Sequence, residues 1–129
     1  MNVLEVVAER AAEASPLWAT ALLGEPRGGL RFAGRCPERH LLGVETIYEG
    51  YLLHHGTSRL FAQDDRDLAL LTGDYLYAAG LREICATGDL AAVDALSELI
   101  ATCAVRRGDA MTDGDDMLWD ETVSGLSAR

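Results

Sequence analysis

The sequence predicts an all-α protein, a helical bundle of about five helices in a single domain of 129 residues. Three observations carry this. Apolar residues recur at three-four spacing through most of the chain, the period of a helix with one buried face. Glycine, proline and capping residues fall where that period breaks. No strand-like alternation exceeds four residues, and the one Asp-Gly pair, Asp113-Gly114, lies among acids rather than between alternating runs.

The elements follow in order. Residues 1–23 hold two N-terminal helices. Val3, Val6, Val7, Ala11 and Ala14 form the stripe of the first. Ser15-Pro16 then supplies an N-cap followed by the residue best tolerated in a first helical turn. The short helix through Leu17, Trp18, Ala21 and Leu22 stops at Gly24. Residues 24–36, with Gly24, Pro26, Gly28, Gly29 and Gly34, are a loop.

Residues 37–107 hold the central helices. Pro37 opens a helix whose apolar positions are Leu41, Val44, Ile47, Tyr48, Tyr51 and Leu52, with Glu38, Arg39, Glu45 and Glu49 mostly off that face, and Gly56 ends it. The run Asp64-Asp65-Arg66-Asp67 suits a helix start, where carboxylates oppose the positive end of the dipole. Leu68 to Ala86 is apolar on nearly every side, the pattern expected of a bundle's central helix. Gly88-Asp89 closes it and caps the next, which runs through Leu90, Val93, Leu96, Leu99, Ile100 and Cys103 to Arg106-Arg107-Gly108. Residues 108–129 are an acidic C-terminal segment, helical only over Met117 to Val123.

Composition narrows the function. Formal charge is −10 and all eleven basic residues are arginine. That balance repels phosphate backbones, so nucleic acid is not an expected partner. No apolar run approaches the length of a membrane span. The N-terminus carries no basic-then-apolar leader pattern, which makes the cytoplasm the expected compartment. Cys36, Cys85 and Cys103 are too widely spaced for a zinc knuckle. Cys85 and Cys103, inside helical patterns, are expected to be small buried hydrophobes.

Two segments resemble the trans-polyprenyl diphosphate synthase family. That family reads Glu-x-Ile-His and, five residues later, Leu-His-Asp-Asp-x-x-Asp; here stand Glu45-Thr46-Ile47-Tyr48 and Leu53-His54-His55-Gly56-Thr57-Ser58-Arg59. Its Leu-x-Gly-Asp-Tyr-Leu matches Leu71-Thr72-Gly73-Asp74-Tyr75-Leu76, and the distance on to Gly88-Asp89 also fits. The resemblance covers about residues 40–107. It implies half of an isoprenoid synthase fold.

The departures are informative. The family's first aspartate motif holds Mg²⁺, a hard cation that needs several carboxylate oxygens. His55, Gly56 and Arg59 stand in their place. The Arg-Arg-Gly diphosphate grip is missing, and the second aspartate motif would lie past residue 129. The resemblance therefore implies no catalytic residues, no metal and no cofactor in this chain. It implies a small-subunit-like accessory protein that acts through a partner, either a catalytic prenyl synthase subunit or a second copy of itself. Tyr48, Tyr51, Leu52, Asp74 and Tyr75 are the candidates to line an isoprenoid tunnel or a subunit interface.

Two other readings compete. The helices could enclose an apolar pocket for an isoprenoid or other hydrophobic ligand. Alternatively, His54, His55 and Asp64 to Asp67 could hold a metal in a small enzyme, although adjacent helical residues point about 100° apart and rarely reach one ion together. A solvent-exposed His54-His55 pair is the simpler expectation. Asp109 to Asp120 faintly resembles a calcium loop, but Met111 at the third position and Asp120 at the last favour an acidic tail. Gly73 inside a helix costs roughly 1 kcal/mol relative to alanine, so a close helix approach is expected there. A buried Asp74 beside it would need a donor.

Overall fold

The computed structural model describes residues 2–128, so the ends of the expected single domain 1–129, residues 1 and 129, lie outside the described residues. It is all-helical: α1 (Val3–Ala14), α2 (Pro16–Ala21), α3 (Glu38–His55), α4 (Arg66–Cys85), α5 (Leu90–Gly108) and α6 (Asp115–Gly125), closed by a 3₁₀ turn over Leu126–Ala128. The caps explain most boundaries. Asn2 accepts from the Leu4 and Glu5 amides, Ser15 from Leu17, Asp65 from Leu68 and Asp89 from Ala92. Each satisfies a backbone donor that a helix start otherwise leaves unpaired.

The central helix is α3. Eleven of its eighteen residues are buried, against six of twenty in α4. This corrects the expectation drawn from apolar content. Leu71 on α4 is 52% exposed, while the carboxylates Glu45 and Glu49 of α3 are fully buried. Burial here follows packing partners rather than side-chain polarity.

Two apolar clusters flank α3. Val44, Ile47 and Tyr51 pack with Phe32, Leu96, Leu99, Cys103 and Trp119. Leu53 packs with Leu4, Val7, Leu60, Phe61 and Leu76. Each large side chain so buried contributes about 1.5–3 kcal/mol relative to exposure. At its N-terminal end α3 also reaches α5: the buried His40 places Nε2 3.0 Å from Oδ2 of Asp89, the α5 cap.

α3 and α4 form an antiparallel pair in close contact. Gly43 faces Gly80 and Gly50 faces Gly73. A Cβ at Gly80 would lie 2.9 Å from the Gly43 carbonyl oxygen, and one at Gly50 2.9 Å from that of Gly73. The reciprocal distances are 3.1 Å at both pairs. The close approach expected at Gly73 is therefore present, and it is one of four such positions.

The connecting segments are tied together. Leu23 donates to the Leu60 carbonyl and Ala62 to that of Ala21, both at 2.8 Å, around an antiparallel bridge between Leu22 and Phe61. Among the described residues no strand forms beyond this bridge. No helix among them is long and apolar enough to cross a membrane.

The C-terminal segment is more ordered than its acidity suggests. α6 starts two residues before Met117, Trp119 is fully buried against Phe32, Tyr48 and Tyr51, and Asp115 is buried as well. A single large aromatic supplies enough apolar area to dock an otherwise polar helix.

Of the cysteines, Cys103 is buried as expected, but Cys85 is exposed because it falls on the outer face of the last turn of α4. Burial raises the Cys36 and Cys103 thiols to about 11. The thiolate is the reactive form. Cys85 is therefore expected to alkylate first with iodoacetamide at pH 8, with Cys103 reacting only on unfolding. Peptide mass mapping over time checks the order.

Candidate functional site

The most distinctive polar feature lies against the inner face of α3. Glu45 and Glu49, one turn apart, both point at Arg59 from the segment that follows the helix. Nη1 of Arg59 donates to Glu45 Oε1 at 2.7 Å and Nε to Glu49 Oε1 at 2.9 Å. The outer oxygens are also satisfied. Glu45 Oε2 accepts from the amides of Arg31 (2.9 Å) and Phe32 (2.6 Å). Glu49 Oε2 accepts from the Arg59 amide at 3.0 Å, from the Leu60 amide at 3.3 Å and from the Ser58 hydroxyl. Nη1 of Arg59 reaches the Gly29 carbonyl as well, and the guanidinium stands 5.1 Å from the centre of the Tyr48 ring.

A buried charge survives only when it is paired and hydrogen-bonded, and this group meets that condition. Its effect is to clamp residues 29–32 and 58–60 onto one helix. No sequence signal marks Glu45 and Glu49 as buried, because their partners lie nine or more residues away. The helical register of the two acids with a following arginine is the one available hint.

A second cluster fixes α6. Asp115 accepts from the Tyr51 hydroxyl (2.8 Å), from Nε of Arg106 (3.0 Å) and from Nη2 of Arg107 (3.1 Å). Arg106 also donates to the Asp113 carbonyl, and Gly114 between them takes φ +92. A side chain at Gly114 would be strained and would meet Arg106 Nη2 at 2.8 Å. Arg107 donates through Nη1 to the His55 carbonyl at 3.5 Å, so it also closes the end of α3.

The electrostatics follow. Burial, then the bond to Asp115, raises the Tyr51 phenol. Burial, then the charge of Arg107, lowers the His55 imidazole. Burial works to raise Asp115, but the bonds from Tyr51, Arg106 and Arg107 outweigh it and hold the carboxyl below its ordinary value. A depressed folded-state pKa adds stability that is fully present above about pH 4, the unfolded value, and is lost as pH falls through the folded one. Asp115→Asn is accordingly expected to be less stable than the parent at pH 7, with the gap narrowing below about pH 4. Urea titrations followed by tryptophan fluorescence at several pH values read this directly.

The residues singled out from sequence separate into two groups. Tyr48 and Tyr51 stack at 5.8 Å in the aromatic cluster with Phe32 and Trp119, and the half-buried Leu52 packs against that core. Asp74 and Tyr75 lie on α4 away from it. Asp74 is exposed, not buried, and sits 2.9 Å from His54 Nε2; Tyr75 stacks on Trp18 of α2 at 4.3 Å. The buried position belongs to Gly73, and its neighbour turns outward along the helix. His54 is half-buried rather than solvent-exposed, with its ring stacked on Tyr77 at 5.1 Å, and His55 is half-buried beside Tyr51.

Among the described residues no group of three or more His, Cys, Asp or Glu side chains could hold one metal ion. Asp65 is an N-cap, and Asp64 and Asp65 border a cleft with Thr20, Ala21, Ala62 and Leu68, not the His54-His55 end of α3. An open groove of ≈ 270 Å³ lies between α1 and residues 22–26, floored by Leu4, Ala8, Leu22 and Leu60 and edged by Glu5 and Glu9.

The fold and these two clusters define an all-helical domain built around a carboxylate–guanidinium centre. Family models, curated proteins and solved structures yield no match to the chain.

Proposed function

We propose that this protein is a non-catalytic accessory subunit of a polyprenyl diphosphate synthase, acting in the cytoplasm through a partner chain that carries the chemistry. The reading starts from the resemblance of Glu45–Arg59 and Leu71–Asp89 to that family. The observation that carries it is the state of Arg59. At the register where the resemblance expects a metal-binding aspartate, a guanidinium lies buried between Glu45 and Glu49.

Both carboxylates are fully engaged by that cation and by backbone amides, which leaves them no free oxygen to lend to Mg²⁺. The polar interior thus supports a structural role for the segment that in a synthase handles diphosphate. Tyr48 and Tyr51 serve the core, Asp74 stands on the surface, and Tyr75 is half-buried against Trp18.

Mixing the purified chain with a full-length synthase that has both aspartate motifs is expected to raise its turnover or change product chain length, with no turnover from this chain alone. Thin-layer analysis of radiolabelled prenyl products reads both. Unchanged rate and product distribution at saturating accessory chain would defeat the proposal.

A further inference from the structure

We propose that the surface formed by α2 and the first half of α4 is the docking face for the catalytic chain, and that it receives an apolar helix flanked by Arg or Lys. This rests on the accessory-subunit reading and names the face it uses.

The apolar part is explicit. Leu17 on α2 and Leu71 on α4 are 59% and 52% exposed. Trp18, the residue after Leu17, stacks on Tyr75, and Leu71 lies one turn before Tyr75 on the same side of α4. α2 buries none of its six residues fully, although the Trp18 indole nitrogen itself is turned inward, and Trp18 and Tyr75 also pack against the core. A Trp–Tyr pair flanked by exposed leucines is the composition of an interface centre rather than of ordinary surface.

The charges select the occupant. Asp67 and Asp74 flank Leu71 on the exposed side of α4, and Asp64 and Asp65 border a cleft of ≈ 190 Å³ between α2 and the start of α4. Arg66 is the single cation in sequence between residues 64 and 78, Asp74 lies 2.9 Å from His54 Nε2, and the cations Arg10 and Arg82 lie beside Tyr75 at the other edge of the face. A second copy would bring the same acids against these, in a chain whose formal charge is already −10. A basic-flanked apolar helix avoids that repulsion, and the cleft has room for one of its long cationic side chains.

The test uses the intact chain and a full-length synthase from the same organism. Hydrogen exchange of the complex is expected to protect α2 and residues 64–78. Leu71→Arg and Asp67→Arg are each expected to weaken binding about tenfold, since both leave the core untouched. Affinity is expected to fall as NaCl rises from about 0.05 M to about 0.5 M, where the screening length shortens severalfold.

A complex protected elsewhere, with both variants binding like the parent, overturns this surface and leaves the accessory role standing. Absence of any complex overturns both. Self-association abolished by Leu71→Arg makes a second copy the occupant and overturns the proposal.

Discussion

Arg59→Met is expected to cost about 3–5 kcal/mol, the loss typical when one partner of a buried ion pair is removed. The side chain of Arg59 is 8% exposed and those of Glu45 and Glu49 are 0% exposed. Methionine fills much of the same space but leaves two carboxylates facing each other in a dry interior. Domains of this size have about 5–15 kcal/mol in total, so the variant sits near the edge of folding. Adding Glu45→Gln and Glu49→Gln to Arg59→Met is expected to recover much of the loss. The amide oxygens can still accept from Phe32 and Leu60, and no unpaired charge remains. Urea denaturation followed by circular dichroism measures both. A change under about 0.5 kcal/mol for Arg59→Met, the level of ordinary surface substitutions, would show that the group is hydrated rather than buried.

Gly80→Ala and Gly50→Ala are each expected to destabilise by about 2 kcal/mol. In an exposed helix this substitution gains roughly 1 kcal/mol of propensity. Here overpacking opposes it, at a cost of about 1–3 kcal/mol and sometimes more. The upper part of that range applies because the obstacle is rigid. At Gly80 the new methyl would meet the Gly43 carbonyl at 2.9 Å, the Ile47 backbone nitrogen at 3.0 Å and Ile47 Cγ1 at 2.5 Å. A carbonyl in a helix cannot rotate aside, so the two helices must separate. The double variant is expected to cost less than the two singles together, because the first separation already makes room for the second methyl. Gly125→Ala, with nothing within 4 Å, serves as the control and is expected to be neutral or stabilising. Thermal melts of the four proteins test the series.

Local chemistry was legible and long-range pairing was not. Ser15-Pro16, Asp65, Gly56 and Gly88-Asp89 mark helix ends in the sequence and mark them in the structure, because a cap bonds to residues two to four positions away. The choice between α3 and α4 as the centre needed tertiary information. Glu45 and Glu49 read as a polar face until Arg59 and two distant backbone segments neutralise them. α6 read as an acidic tail for a similar reason: the cations of Asp115 are on α5, and the ring partners of Trp119 are on α3 and the 24–36 segment. Within the candidate site, Tyr48 and Tyr51 were recognisable as aromatic positions. His40, whose partner Asp89 is forty-nine residues away, gave no sign at all.

The grip of Glu45 and Glu49 on main-chain amides sets an unusual evolutionary constraint on the segments around α3. Surface connections ordinarily tolerate changes of length more readily than helices do. Here a residue inserted before α3 would slide the amides of Arg31 and Phe32 off Glu45, and one inserted just after α3 would slide those of Arg59 and Leu60 off Glu49. The identity of outward positions such as Glu25, Ala33 and Arg35 is much less restricted, since carboxylates that read peptide groups ignore what hangs from them. These connections work as rulers: away from the buried Phe32 and Ser58 to Phe61 their spelling can drift, but their number of residues cannot.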